Sequence, residues 1–528
     1  MGNEPQDAGP GGGTEPRLAE LVAALSLAGD LGLGQPWEQG LRTCLLSLRL
    51  GEASGLGEEE RRDLYYVALL RGAGCTADGH VAAAIFGDEI AFAERCSTLD
   101  LGRPYEVLSF MVRAVGEGLP ATRRARMVAN FLATGIGKMK GSVRAGCEVA
   151  QVVAGRLGLG AEVDRALGQV FERWDGKGWP RGTKGGDLSH LALIVALAQD
   201  VEVFHQAAGV DAAMTVARER AGQAYDPALV AHLSEIGPDV LPELDRASVW
   251  EDAIEAEPGA RPRVSTEQLE EALGAFADFA DLKSPSTLGH SRGVAQLAES
   301  AARGLGLPGD GVDLVRRAAL AHDLGRAGIP AAIWEKPTRL TAGDWERVRL
   351  HPYLTERVLG RVPALEQIAA VGGRHHERLD GSGYHRGSPA SQLSIAARLV
   401  AAADVYHALT EPRPHRAAWS TEAAAAELQA QARTGKVDAD SANAILEAAG
   451  HRTRVRAALP AGLTPREVEV LGHLARGMSN RHIAGTLFVS LKTVDTHVQH
   501  IYPKLGVSTR AAAAMFAMKH GLPGATYE

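Results

Sequence analysis

Aromatic side chains are scarce in this chain, at 5% of 528 residues. The 61 glycines, with abundant Ala and Leu, favour helices packed through small residues over sheet cores. Cysteine is scarcer still. Cys44, Cys75, Cys96 and Cys147 all lie in the first third and none forms a CxxC pair, so buried free thiols are expected rather than a disulfide framework or a zinc knuckle. No stretch approaches about eighteen consecutive uncharged apolar residues. The start, MGNEPQDAGPGGGTEP, lacks the apolar run of a signal peptide. A cytoplasmic protein without a membrane partner is the expectation. An overall positive charge is also missing. Lys and Arg number 56 against 64 Asp and Glu, a net charge of -8. Contact with nucleic acid must therefore come from a local patch.

A chain this long exceeds one core, so several domains are expected. Residues 1–16 are rich in Gly and Pro and read as disordered. Helical periodicity then fills 17–250. The charged, Pro-containing stretch 251–265 reads as a linker, and a second helical block occupies 266–450. A short connector leads to a compact unit over 459–525. In that unit Thr464, Pro465 and Glu467 fit the N-cap, first and third positions of a helix.

Within the second block, histidines and aspartates gather around AHDLGRAGIP and RHHERLDGSGYHRG. They are His290, His322, Asp323, His351, His375, His376 and Asp404. Imidazole nitrogens and carboxylate oxygens suit borderline divalent metals, and seven such ligands suffice for two ions. Arg326 follows Asp323 by one helical turn, where it can hold a phosphate bidentately. Arg413 and Arg416 lie beyond Asp404 and are further phosphate candidates. The first block repeats the second without its ligands. FERWDGKGWPRG from Phe171 matches HERLDGSGYHRG from His376. Yet Arg71 and Gly72 stand opposite His322 and Asp323, Gly146 opposite His351, Val170 and Phe171 opposite the His pair, and Gln199 opposite Asp404. The segment around Gln39 has no counterpart of His290. A metal-free scaffold, dimerisation surface or sensor is expected there.

Residues 281–420 resemble the HD-GYP family of metal-dependent phosphohydrolases, matching at every ligand position. The resemblance implies an all-α fold of two tandem HD-type helical domains. It implies two divalent metal ions, iron or manganese, and a cyclic dinucleotide substrate. Asp323 would bridge the metals. His290, His322 and Asp404 would face one, and His351, His375 and His376 the other. Arg326, Gly383, Tyr384, Arg413 and Arg416 would face the substrate. Two departures stand out: the motif reads Gly383-Tyr384-His385, not Gly-Tyr-Pro, and position 326 is Arg, not Lys.

The C-terminal unit carries LTPREVEVL, SNRHIAGTLFVSLKTVDTHV and KLGVSTR. Polar Lys492, Asp495, Thr496 and Gln499 share the face of a helix opposite its apolar stripe, as a major-groove reader requires. This unit resembles the LuxR-type helix-turn-helix, which is tetrahelical. The resemblance implies a homodimer on promoter DNA, with Lys492, Thr493, Asp495, Thr496, Gln499, His500 and Lys504 in the DNA-binding set. The combined reading is a regulator that couples phosphodiester hydrolysis to promoter binding. The alternatives are a transcription factor whose metal site senses a nucleotide without turning it over, and a phosphodiesterase whose tail only dimerises.

Overall fold

The computed structural model describes residues 15–100, 102–451, 460–507 and 509–519. It is 68% helical, with no strand among the described residues. Residues 1–14, most of the expected disordered start, lie outside the described part, as do 452–459 of the connector.

The tandem repeat reappears as matching local geometry. In the first half Asp30 accepts from the Gly40 N–H; in the second Asp281 accepts from the Ser291 N–H. Glu172 accepts from the Arg181 and Gly182 N–H groups, and Glu377 from those of Arg386 and Ser388. Gly74 lies against the Gly146 backbone as Gly325 lies against that of His351. The ligand positions of the first half are filled differently. The half-buried Arg71 guanidinium stacks on Phe171 with 4.8 Å to the ring centroid. Gln199 accepts from the Thr43 hydroxyl at 3.2 Å.

One continuous apolar core runs from Leu18 to Leu446 and joins both halves. The stretch 251–265, expected as a linker, is built into it. Its residues Ala253 and Ile254 join Trp250 at helical spacing and bury one face of a short helix. Val264 is buried too, and its N–H donates to the Pro16 carbonyl. The charges of this segment mask its apolar face in the sequence. The helix His190–Ala208 has the length and apolarity to cross a membrane. Here it packs against Gln39–Ala53 and Val210–Glu219. The C-terminal unit has its own core, in which Leu471, Ile483, Val494, Ile501 and Ala517 meet.

Glu202 lies on the helix His190–Ala208 with no solvent exposure, and neither carboxylate oxygen has a hydrogen-bond partner. Burial lifts its pKa to about 7 from 4.5, with Gln39 and Arg42 opposing. A raised folded value favours the protonated form. This contribution is fully present below pH 4.5 and is lost as pH rises through 7. The slope across that window amounts to roughly 3 kcal/mol. Glu202→Gln is expected to melt near the parent at pH 5 and well above it at pH 8. An unchanged difference between the two pH values would refute a neutral Glu202.

Candidate metal centre

Helix ends deliver most of the clustered side chains. His290 opens the helix His290–Gly304, after Gly289 in the left-handed region at φ 80. His322 and Asp323 end the helix Gly309–Ala321, where the chain turns into Leu324–Gly328. His351 opens His351–Leu359, and His375 and His376 follow Glu366–Gly372. Asp404 alone lies inside a helix, the Ala-rich Ile395–Thr410. All seven side chains meet. Asp323 is central: Oδ1 faces His351 Nε2 at 3.4 Å and His375 Nε2 at 3.5 Å, and Oδ2 faces His322 Nε2 at 3.4 Å and His290 Nε2 at 3.8 Å. Asp404 lies 3.2 Å from His290 and 3.6 Å from His376. Donor atoms of His290, His322 and Asp404 lie within 4.8 Å of one another, as do those of His351, His375 and His376.

The ring tautomers fit metal ligation. His322, His351 and His375 each present Nδ1 to a backbone carbonyl one turn back, at Ala319, Val348 and Gly372. With Nδ1–H donating there, each Nε2 lone pair points into the cluster. His322 Nε2 is buried and has no hydrogen-bond partner. An orphaned acceptor among carboxylates is the environment a cation satisfies.

The charges divide along the same lines. Burial would raise the Asp323 carboxyl, but the Arg326 guanidinium beside it holds it well below the usual range. Asp404 is likewise ionised despite burial, held by His290 and His376. Burial pushes His351 down to about 3 and His376 well below its ordinary value. Both are therefore neutral, as ligation requires. His290 moves the other way, to about 9, because Asp404 and Glu411 outweigh its burial.

Two residues of this centre went unread in the sequence. Glu411 Oε2 lies 2.8 Å from His290 Nδ1, and Glu411 Oε1 lies 3.3 Å from His407 Nδ1. Burial raises the Glu411 carboxyl, yet His290 and His407 bring it down to about 2. Such an outer carboxylate orients a ligating imidazole. The spacing of His407 and Glu411, one helical turn apart, was the available signal.

The proposed substrate residues separate. Arg326 donates to Asp323 at 2.6 Å and stacks over Trp334. Arg413 is held at the rim by Glu411 and the Ser286 carbonyl. The Tyr384 ring lies 4.8 Å from that of His376. Arg416 is used elsewhere: its guanidinium donates to the carbonyls of Ala408, Leu409 and Glu411, closing the end of the helix Ile395–Thr410. Gly383 serves the loop's own fold, since a Cβ there would lie 2.4 Å from the Arg378 nitrogen.

In the C-terminal unit, Thr464 and Glu467 form the expected capping box on Pro465–Ala475. Ser490 caps the helix Leu491–Leu505, and Pro503 falls in its last turn. The helix Arg510–Lys519 is the fourth. Lys492, Thr493, Thr496, Gln499 and His500 are exposed. Asp495 is half-buried and accepts from Asn480 at 2.9 Å. Lys504 is spent internally, with both Glu467 oxygens within 2.9 Å of its ammonium.

An HD domain model matches residues 143–229 and 274–440, so it reaches both halves. The 3'3'-cGAMP-specific phosphodiesterase 3 of Vibrio cholerae is 30% identical over 416 residues, covering 78% of this chain and 90% of the relative. The chain belongs to the HD-GYP phosphodiesterase family. The crystal structure of the cyclic GMP-AMP-specific V-cGAP3 from V. cholerae superposes on this HD-GYP protein with a TM-score of 0.58 at 27% identity, covering 83% of this chain and 99% of that one. The cyclic di-GMP phosphodiesterase response regulator RpfG of Xanthomonas campestris is 35% identical over 167 residues, which is 31% of this chain and 44% of RpfG. Residues 461–517 match the bacterial regulatory proteins of the luxR family. This HD-GYP protein thus joins a phosphohydrolase fold to a DNA-binding module.

Proposed function

We propose that the chain is a cytoplasmic transcription regulator that hydrolyses a 3'3'-linked cyclic dinucleotide at a centre of two iron or manganese ions. Its functional units are taken as 17–250, 266–450 and 459–525. The division of Asp323 between two histidine sets carries the reading. His290, His322 and Asp404 would hold one ion, His351, His375 and His376 the other, and Asp323 both. A bound pair supplies Lewis acidity and an activated water. Arg326 and Arg413 would neutralise a bound phosphodiester, and Tyr384 offers a ring at the mouth for a base to stack on. Support for the substrate class comes from relatives whose names specify 3'3'-cGAMP or cyclic di-GMP.

The test is metal analysis of protein prepared with Fe(II) or Mn(II), followed by incubation with 3'3'-cGAMP and cyclic di-GMP. Linear dinucleotide or mononucleotide product is expected. Metal-loaded protein that binds either ligand without cleaving it would replace this reading with the sensing one. The Arg326–Asp323 contact favours that second reading, because it draws charge from the bridging carboxylate.

The C-terminal unit is proposed to read promoter DNA as a homodimer, since one helix spans too few base pairs to specify a site. Thr496 and Gln499 replaced by Ala should alter the selected sequence, at about 1–3 kcal/mol per lost base contact. Lys492→Ala should weaken binding evenly across sequences. Selection from random duplexes with the full chain checks both. No enriched sequence at low salt would support the dimerising tail.

A further inference from the structure

Glu89 belongs to the first half, on the helix Glu89–Cys96, yet its carboxylate is buried among residues of the second. Oε1 lies 2.8 Å from Lys283 Nζ and accepts from the Ala331 N–H at 2.7 Å. Lys283 is 1% exposed and also donates to the Ala327 carbonyl at 3.0 Å. One oxygen from the first half therefore ties together two separate segments of the second.

Both segments deliver residues of the metal centre. Lys283 lies between the helix Thr266–Asp281 and His290. That connection is stapled: Asp281 accepts from the Ser291 N–H and hydroxyl, and the Thr287 hydroxyl donates to the Asp281 carbonyl. A displacement of Lys283 is passed on to His290. On the other side, Ala327 and Ala331 flank the turn that follows Asp323 and Arg326. The Ile329 N–H returns to the Arg326 carbonyl, and Ala331 opens the short helix carrying Trp334, on which Arg326 stacks. First-half packing closes the back of this turn, with Leu31 against Gly328 and Gly32 against the Ala327 carbonyl.

We propose that Glu89 is a positioning residue for the metal centre, holding through Lys283 and the Ala331 N–H the segments that bring in His290 and the Asp323–Arg326 pair. This rests on reading the His/Asp cluster as a metal site. The half that lacks the ligands thereby forms one wall of its neighbour's centre. A buried ammonium and carboxylate hold a fixed geometry because neither can turn to water. An amide at position 89 can still accept from the Ala331 N–H, but it no longer answers the Lys283 charge.

The experiment measures Mn(II) affinity and cyclic dinucleotide turnover on the full chain carrying Glu89→Gln, Lys283→Met or both. Asp88→Asn, which removes the charge pair with Arg347 and can keep the cap on the Ala91 N–H, is the control. Supporting residues of metal sites cost roughly 10- to 100-fold in affinity or activity when removed, so a loss of at least about tenfold in Mn(II) affinity is expected, with the control at the parent's value. The double variant leaves no charge unpaired, so it is expected to stay folded while keeping the loss. A folded double variant that binds Mn(II) within twofold of the parent would overturn the proposal. So would a loss that only tracks the fraction of unfolded protein. If the parent binds Mn(II) without cleaving cyclic dinucleotides and the variants bind it more weakly, the hydrolytic reading falls and the positioning role stands. A parent that takes up no Mn(II) would overturn both.

Discussion

Asp323→Ala is expected to abolish phosphodiesterase turnover and to strip metal from the protein. Its two oxygens face the two histidine sets, with two imidazoles on each oxygen. Lewis-acid stabilisation of a phosphoryl group is worth several kcal/mol. At about 1.4 kcal/mol per tenfold, that predicts a fall in kcat of roughly 10³-fold or more. The loss reaches beyond catalysis. Arg326 is nearly buried and hydrogen-bonds this carboxylate. Removing Asp323 leaves that guanidinium facing the imidazoles without its counter-charge, which costs on the order of 3–5 kcal/mol. Asp323→Ala with Arg326→Met should recover much of the stability and none of the turnover. Metal analysis, steady-state kinetics and thermal melts separate the two effects. Turnover within tenfold of the parent would refute a bridging Asp323.

Gly325→Ala is the second large effect expected. A Cβ at this position would lie 2.1 Å from the His351 carbonyl oxygen and 2.6 Å from the Thr355 nitrogen. Both are backbone atoms that no rotamer change can move. The Gly325 N–H also donates to the Thr355 hydroxyl, which in turn donates to the His322 carbonyl. The turn after Asp323 and the start of the helix His351–Leu359 must therefore separate, carrying the two ligand sets apart. Overpacking of this kind costs about 1–3 kcal/mol or more. Metal affinity should fall with it, because ligand geometry tolerates only a few tenths of an ångström. The contrast is Gly304→Ala, where a Cβ meets nothing within 4 Å and Mn(II) binding should match the parent. Equal metal binding by Gly325→Ala and the parent would show that the two segments move independently.

From the sequence alone came the helical class, the seven side chains that meet around Asp323, the unmatched first copy and the caps of the C-terminal helices. The reason is local: metal ligands need particular atoms, and helices advertise themselves through apolar spacing and caps such as Thr464–Glu467. What it left undecided was settled by contacts that form only in the folded chain. Arg416 read as a phosphate candidate and Lys504 as a DNA contact, and only the fold shows that Arg416 donates to helix-end carbonyls and Lys504 pairs with Glu467. Glu411 went unread until the turn after Thr410 placed it on His290. The 251–265 stretch read as a spacer, yet it buries Ile254 and Val264 in a core that both halves share. Glu89 carries no motif at all. Its importance comes from the packing of one copy against the other, which sets a carboxylate beside Lys283 across a long span of chain. Composition and periodicity report what a residue can do, but only tertiary structure decides which buried charge finds its partner.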